Sequence, residues 1–232
     1  MGVVWEGLAQ AFKLLISFDP EVLEIVWLTL KVCGAATLIS ILIGVPVGTF
    51  LALYRFPGRR LAISLVNTFM GLPPVVVGIW VSFLLWRTGP LGRLGLIYTP
   101  VAMIIAQSVI ASPLVAGLSM AALQQLPPKL RLQILALGAS PWQALLTMLK
   151  EARLGLLAAV IAGFGGVISE VGAAMMVGGN ILHYTRVLTT ATVLAVSRGE
   201  FDLALALSFI LLGMAFTVTA ALTILQQGRR SA

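Results

Sequence analysis

Few residues in this sequence carry side chains that catalysis, metal binding or nucleotide binding requires. The single cysteine, Cys33, excludes a disulfide within the chain and is interpreted as a small packing residue. The single histidine, His183, has no nearby set of metal ligands and is interpreted as a loop residue. None of the lysines follows a glycine and precedes Ser or Thr, so no phosphate-binding loop is present. We therefore predict no catalytic residue, no metal site and no cofactor in this chain.

One carboxylate, Glu170, lies deep within a long apolar run and is the most informative ionisable residue. A charge at bilayer depth is costly unless it is paired, so such a residue marks either a functional path or a contact that locks helices together. Two interpretations follow for Glu170: a structural hydrogen-bonding role near a gate, or a role in gating itself.

The composition indicates that the elements positioning these residues lie in a bilayer. Of 232 residues, 59% are hydrophobic and 10% are charged, and the mean hydropathy is +1.05. Ordinary soluble domains have about a quarter of their residues charged. The net charge of +7 does not indicate nucleic-acid binding, because the cations lie at the ends of apolar runs and form no patch with aromatic residues.

Five apolar stretches are long enough to cross a bilayer as helices: residues 25–53, 61–86, 97–123, 154–178 and 203–226. Gly44 and Gly48 form a small-residue pair around Pro46 in the first span, Pro73-Pro74 interrupts the second, and we expect glycines at 163, 165 and 166 to loosen the fourth. Close helix packing alone would explain these residues, and so would helices that bend around a path.

The flanking cations predict an orientation with the amino terminus outside and the carboxyl terminus in the cytoplasm. Nine cations would then lie on the inner side and six on the outer side. The inner set is Arg55, Arg59, Arg60, Lys129, Arg131, Lys150, Arg153, Arg229 and Arg230; the outer set is Lys13, Lys31, Arg87, Arg93, Arg186 and Arg198. Trp27 and Trp86 would belong to an outer aromatic belt, and Tyr54 to the inner boundary.

Two shorter segments complete the predicted architecture. Residues 1–20 carry Trp5, Leu8, Phe12 and Leu15 at helical spacing, which favours an amphipathic interfacial helix over a signal peptide. Residues 184–199 are apolar but too short to cross, and we expect an outer re-entrant or interfacial helix that ends at Gly199. Asp202 is then a helix-start residue of the last span.

Residues 124–153 form the longest predicted inner loop and have the sequence signals of two short helices. Pro127-Pro128 opens the loop, a first helix runs from about 129 to 137, and Gly138 ends it. Ser140 caps a second helix whose first residue is Pro141. Such a rigid protrusion suits docking, and Trp142 and Leu145 would fill a cleft on a partner.

No energy source is evident in the chain, and five spans leave little protein to shield a solute path from lipid. Ion-coupled transporters usually carry several intramembrane ionisable residues and an inverted repeat, whereas Glu170 alone lies deep in a span here. We therefore expect a homodimer whose motor is another protein.

The loop "LALGASPWQALLTMLKEARLGLL" resembles the coupling-helix loop of ABC-transporter permease subunits, with the Gly-Ala-Ser-x-Trp core at Gly138, Ala139, Ser140 and Trp142. Two departures weaken a charged contact with the ATPase: the usual acid six residues before the glycine is Leu132, and the usual Leu-Pro after the docking helix is Leu149-Lys150. The resemblance implies docking through Gly138, Ala139, Ser140, Pro141, Trp142 and Leu145, more by shape and apolar burial than by an ion pair.

A later run, "ISEVGAAMMVGGNILHYTRVLTTATVLAVSRGEFDLALAL", resembles the permeases of oxyanion importers, and tungstate permeases more than molybdate permeases. "GLPPVVVGIW" and "GPLGRLGLIYTPVAMIIAQ" resemble earlier segments of the same family. The resemblance implies the all-α fold of type I ABC importer permeases over one domain, residues 1–232. It also implies a cell-membrane location, a cytoplasmic ATPase that binds ATP and Mg, and an external binding protein that delivers the anion.

We predict a translocation path or gate at six residues: Glu170, Met175, Met176, Asn180, Thr185 and Arg186; the resemblance implies that the region of Met175 and Met176 approaches the gate. A carboxylate would repel tungstate, so we do not expect Glu170 to be a ligand. Arg186 beside Thr185 either guides an oxyanion at the outer mouth or is an arginine at the membrane surface. Met175 and Met176 either pack between helices or line the gate. Molybdate, sulfate or another oxyanion is the alternative substrate, and a passive channel or scaffold is the rival from another class.

Overall fold

The computed structural model describes residues 19–227 continuously, together with Trp5, Ala9, residues 11–13 and Ser17. Within residues 19–227 the regular elements are all helical. The α helices are α1 Pro20–Leu53, α2 Arg59–Met70, α3 Pro74–Leu85, α4 Pro100–Gln124, α5 Leu130–Ala136, α6 Pro141–Glu151, α7 Arg153–Ile168, α8 Gly172–Gly178, α9 Leu188–Ser197 and α10 Phe201–Gln227, with a 3-10 turn at Gly92–Leu94. The predicted all-α class is confirmed.

The bundle has two ends, which we call the hairpin end and the loop end. The hairpin end holds α5 and α6 (residues 130–151), and the loop end holds residues 86–99, 179–187 and 198–200. Helices α1, α4 and α10 each run between the two ends and are long and apolar enough to span a bilayer. Two bent helix pairs, α2 with α3 and α6 with α7, bring the count to as many as five spans.

Helix α1 begins at Pro20, five residues before the predicted span, because Asp19 caps it. The Asp19 carboxylate accepts hydrogen bonds from the backbone N–H groups of Glu21 and Val22, each at 3.1 Å. Pro20 occupies the first helical position, where a missing N–H costs nothing.

The interruption predicted at Pro73-Pro74 is confirmed as a bend of 102° between α2 and α3. The expected loosening by the glycines of the fourth span is wrong: α7 runs through Gly163, Gly165 and Gly166 without a break. The chain instead leaves the helix after Ile168 and re-enters one at Gly172. Gly163 serves packing, because a Cβ built there would lie 2.7 Å from Cγ2 of Val115 on α4.

Helix α4 lies at the centre of the bundle and packs against α1, α2, α3, α7 and α8. Its contact with α1 is close because Gly44 and Gly48 expose backbone to it. A Cβ at Gly44 would lie 2.8 Å from Cβ of Val115, and one at Gly48 would lie 3.0 Å from the Met120 nitrogen. The small-residue pair therefore packs two helices of the same chain.

The predicted short helix in residues 184–199 is confirmed as α9, and Asp202 lies in the first turn of α10. Near the amino terminus, Trp5, Ala9 and residues 11–13 are helical, and Ala11 is buried against α1 and α10. Leu8 and Leu15 lie outside the described residues, so the amphipathic interfacial helix stays a prediction. The single-domain boundaries 1–232 likewise stay a prediction.

Candidate functional site

The turn between α5 and α6 is held by hydrogen bonds on both sides. Gly138 has φ +88°, and the N–H groups of Gly138 and Ala139 donate to the carbonyls of Leu135 and Ile134 at 3.0 and 3.4 Å. These two bonds form a Schellman motif at the end of α5. At the start of α6, Ser140 Oγ accepts from the Gln143 N–H at 3.3 Å, and Gln143 Oε1 accepts from the Ser140 N–H at 2.8 Å.

This pair of bonds at the start of α6 is a capping box. Backbone groups at the end of α5 and at the start of α6 are therefore hydrogen-bonded within the hairpin itself. Pro141 occupies the first helical position, as predicted. The role of Gln143 was missed, although Ser-x-x-Gln before an apolar run is its sequence signal. The geometry of the turn is thus set by these local hydrogen bonds.

The hairpin presents an apolar surface that nothing in the described chain covers. Leu137 is 88% exposed and Trp142 is 65% exposed, and Leu132 and Leu146 are exposed beside them. Leu145, which was expected to share this surface, is half-buried. Exposed apolar side chains at a protruding turn are typical of a protein-docking surface.

The second candidate region begins at the break between α7 and α8. The Glu170 carboxylate is 5% exposed and is the one charged side chain that is buried among the described residues. Its Oε1 accepts from the Ala173 N–H at 2.6 Å, and its Oε2 accepts from the Ala174 N–H at 2.9 Å. The Glu170 carbonyl accepts from Thr189 Oγ1 at 3.1 Å. Glu170 therefore caps α8 and joins it to α9.

Glycines hold α8 closely against α3. A Cβ at Gly78 of α3 would lie 2.7 Å from the Ala173 Cα, and one at Gly172 would lie 2.6 Å from Cγ2 of Val75. The two predicted gate methionines lie on this short helix: Met175 is half-buried and Met176 is exposed. The position of both methionines thus depends on how α8 packs against α3.

Beyond α8 the chain makes a tight turn in which Asn180 has φ +51°, a conformation that Asn tolerates better than most residues. Its Nδ2 donates to the Thr190 carbonyl at 3.4 Å, and its Oδ1 is buried with no hydrogen-bond partner in the described chain. Thr185 is fully buried: its Oγ1 accepts from the Ile181 N–H at 2.9 Å and donates to the Gly178 carbonyl at 2.6 Å. The turn is therefore fixed by side chains that point inward.

Arg186 and His183 connect this turn to the first turns of α1. Arg186 Nη1 lies 3.5 Å from Glu21 Oε1, and His183 Nδ1 lies 2.7 Å from Glu24 Oε2. His183 is a loop residue, as predicted, with φ +60°. Among the described residues no group of three or more His, Cys, Asp or Glu side chains forms a metal site.

Of the six predicted gate residues, the structure gathers five on or beside α8 and turns the sixth, Arg186, towards α1. Reasoning from the sequence missed the residues that hold this region in place: Thr29, Thr189, Thr190, Glu21 and Glu24. The repeated threonines within the apolar run at residues 185–192 were a signal, since buried hydroxyls need partners.

Residues 44–231 match the family described as "Binding-protein-dependent transport system inner membrane component". The chain is 37% identical to the tungstate uptake system permease protein TupB of Peptoclostridium acidaminophilum, over 98% of this chain and 100% of that protein. It is 38% identical to a probable anion ABC transporter permease protein of Haloferax volcanii, over 83% of this chain and 85% of that protein. It is 26% identical to the sulfate transport system permease protein CysT of Escherichia coli, over 91% of this chain and 80% of that protein.

Solved structures show the same fold. A bacterial alginate ABC transporter, in complex with a periplasmic protein that holds an alginate pentasaccharide, matches with a TM-score of 0.77 at 17% identity, over 97% of this chain and 86% of that chain. The inward-facing MetNI methionine ABC transporter matches with a TM-score of 0.74 at 24% identity, over 90% of this chain and 98% of that chain. At these identities the likeness concerns the fold alone, and that fold is the expected one of type I importer permeases.

Proposed function

Because the chain belongs to the family of binding-protein-dependent transport system inner membrane components, we propose that it is the membrane subunit through which an ATP-driven importer moves tungstate. The chain itself performs no catalysis. An external binding protein delivers the anion, and a separate cytoplasmic ATPase binds ATP and Mg. Movement of the hairpin by the ATPase switches the bundle between inward-open and outward-open states.

The observation that carries this proposal is the hairpin. A turn fixed by a Schellman motif and a capping box, with Leu137 and Trp142 exposed at its surface, is able to transmit force from a partner without bending. A passive channel or scaffold has no need of such a protrusion. The absence of an acid at Leu132 supports docking through apolar burial more than through an ion pair.

Tungstate is proposed from the relatives. The permease named for tungstate uptake in Peptoclostridium acidaminophilum aligns over nearly all of both chains, whereas the relative named for sulfate in Escherichia coli is 26% identical. Molybdate, sulfate and another oxyanion are the competing substrates. Affinity for the anion can reside in the external protein, so the permease need not bind it tightly.

The proposed orientation places the hairpin end in the cytoplasm and the amino terminus outside. The cations of the described chain support it, because the hairpin end carries more of them than the loop end does. Seven lie on the hairpin side and six on the loop side, and the predicted inner cations Arg229 and Arg230, outside the described residues, would make nine. The hairpin side has Arg55, Arg59, Arg60, Lys129, Arg131, Lys150 and Arg153, and the loop side has Lys13, Lys31, Arg87, Arg93, Arg186 and Arg198. The membrane would be the inner or plasma membrane of the cell.

A homodimer is proposed because up to five spans in one chain leave little protein to shield a solute path from lipid, and α2, which has no buried residue, offers a surface for the second copy. Leu61, Leu65 and Phe69 of α2 recur every four residues and are all exposed, so one apolar side of the helix lacks a partner within the described chain. A Cys introduced at Leu65 should form a crosslink between two copies, since a two-fold axis brings the same surface together. A Cys at Phe216, an exposed residue of α10, is the control that should remain uncrosslinked.

For the gate, the geometry supports a structural role for Glu170, whose carboxylate holds the start of α8. Met175, Met176 and Asn180 would then line the path near this point, with Thr185 fixing the turn. The contact of Arg186 with Glu21 supports a role in holding the loop end more than a role in guiding the anion.

The proposal is tested with Trp142→Asp in the assembled transporter. We expect the ATPase to be lost on purification while the permease still inserts, because a charge in the docking cleft is left unpaired. Trp142→Phe should retain the ATPase. Anion flux that persists in Trp142→Asp without the ATPase would establish a passive channel instead.

The substrate is decided by a separate experiment, in which binding of tungstate, molybdate and sulfate to the external protein is measured by calorimetry.

A further inference from the structure

The hairpin contacts the end of α1 through one side of α5. Arg131 Nη1 donates to the Leu53 carbonyl at 3.5 Å, and the Arg131 guanidinium lies 5.7 Å from the centre of the Tyr54 ring. Leu53 is the last residue of α1, where carbonyls have no partner within the helix and a cation is favourable. A side chain of the hairpin therefore completes the end of a spanning helix.

An apolar contact lies beside this polar one. Ile134, one turn along α5 from Arg131, packs against the buried cluster of Leu123, Met148 and Ala152, and Ala52 and Leu53 of α1 pack against the same cluster. Leu132 and Leu137 of the same short helix are exposed. Helix α5 thus has two faces: one free to meet a partner, and one that contacts α1.

Helix α1 is able to carry a displacement along its length. It has 34 residues without a break, which corresponds to about 51 Å. Pro46, the residue at which it would bend most easily, lies between Gly44 and Gly48, whose backbones pack closely against α4. Near its end, Arg59 Nε donates to the Leu51 carbonyl at 2.8 Å. The helix and α4 therefore form one rigid pair.

At the loop end the same helix holds the start of α9. Thr29 Oγ1 accepts from the Leu188 N–H at 3.0 Å and donates to the Ile25 carbonyl at 2.7 Å. Leu188 is the first residue of α9, and the next residue, Thr189, donates to the Glu170 carbonyl. A shift of α1 thus reaches the break in the fourth span through two successive hydrogen bonds.

We propose that Arg131 and Thr29 are positioning residues at the two ends of one connection, in which α1 carries movement of the hairpin to α9 and the Glu170 break. The inference rests on the proposed function, because it assumes that a partner moves the hairpin. It adds that the path runs through α1, which lies far from the hairpin in sequence, as well as through α7, which follows the hairpin directly.

The test measures anion transported per ATP hydrolysed in vesicles that contain the permease, the ATPase and the external protein. Arg131→Met and Thr29→Val should each lower this ratio about five-fold while the ATPase still co-purifies. The double variant should lower the ratio no further, because both contacts belong to the same path through α1 and losing either one interrupts it. Thr29→Ser keeps both hydroxyl bonds and should restore the ratio if Thr29→Val fails to fold.

Two matched controls are available in the chain. Lys129→Met removes an exposed cation two residues from Arg131. Thr37→Val changes a buried threonine of α1 whose Oγ1 has no hydrogen-bond partner in the described structure. Both should leave the ratio unchanged.

Three results would overturn the inference. They are an unchanged ratio in Arg131→Met, losses that multiply in the double variant, and release of the ATPase by Arg131→Met, which would make Arg131 part of the docking surface. If the unmodified complex hydrolyses ATP without transporting an oxyanion, the proposed function fails instead.

Discussion

The hairpin and the region of α8 and α9 are both pairs of short helices joined by a tight turn, but among the described residues only the turn of the second is joined to a distant helix by polar side-chain contacts. The hairpin turn is fixed by bonds between residues at most five apart, such as Ala139 to Ile134. The turn after α8 also has local bonds, from Thr185 and Asn180, but this region is held in addition by partners far along the chain: Thr29, which contacts the start of α9, and Glu24, which contacts His183. The hairpin can therefore move as a unit, whereas α8 and α9 move only with the helices that hold them.

This difference separates two kinds of variant. A change at the exposed turn of the hairpin should affect binding of a partner and leave the fold intact, because Leu137 and Trp142 are exposed there. Ala144 and Met148, further along α6, belong to the core. A change around α8 should lower both stability and transport, because α1, α3 and α4 all contact this region. The four predictions that follow test this separation, from the largest expected effect to the smallest.

Glu170→Gln should have the largest effect. The amide keeps one acceptor oxygen but turns a donor towards the backbone N–H of Ala173 or Ala174, so one buried donor loses its partner. We expect the free energy of unfolding to fall by about 3 kcal/mol, the upper range for a lost bond to a charged acceptor. Thermal unfolding of the purified permease and anion uptake should both decline. Unchanged folding together with unchanged uptake would remove both roles considered for Glu170.

Gly78→Ala should come second. The added methyl group would lie 2.7 Å from the Ala173 Cα, so α3 and α8 must separate. Overpacking of this kind costs about 1–3 kcal/mol, measured as a lower unfolding midpoint. Gly34→Ala is the control, because a Cβ there meets nothing within 4 Å and alanine favours a helix. Equal midpoints for the two variants would contradict the close packing of α8.

Ser140→Ala should have a smaller effect that is confined to the hairpin. The lost cap costs about 1 kcal/mol of local helix stability, whereas Ser140→Gly costs only a few tenths. The midpoint of global unfolding should stay within error, and hydrogen exchange in α6 should become faster. Weaker co-purification of the ATPase is expected from Ser140→Ala alone. A fall in the global midpoint would show that the cap at the start of α6 also stabilises the core.

The same contrast explains what the sequence could and could not predict. Gly138, Ser140 and Pro141 act on their immediate neighbours, so the hairpin was predicted nearly to the residue. The break after Ile168 was not, because three glycines upstream look like the weaker point, and the packing role of Gly163 depends on Val115 of another helix. The contacts of Thr29 and Glu24 are likewise invisible before the bundle is assembled. Depth in an apolar run did single out Glu170, since a buried carboxylate needs a partner wherever it lies.

Loss of the contact between His183 and Glu24 should have the smallest effect of the four, although its atoms lie only 2.7 Å apart. Both side chains are about half exposed or more, so solvent screens the pair, and exposed pairs contribute about 0.5 kcal/mol. His183→Asn is the suitable variant, because Asn tolerates the positive φ and the backbone is not strained by the change. A double-mutant cycle with Glu24→Gln, read by thermal unfolding, should give a small coupling energy that high salt removes. A coupling energy above about 1.5 kcal/mol would mean that the pair is shielded from solvent in the assembled transporter. The exposed contact of His183 with Glu24 would then help to hold α8 and α9, as the buried contact of Thr29 does.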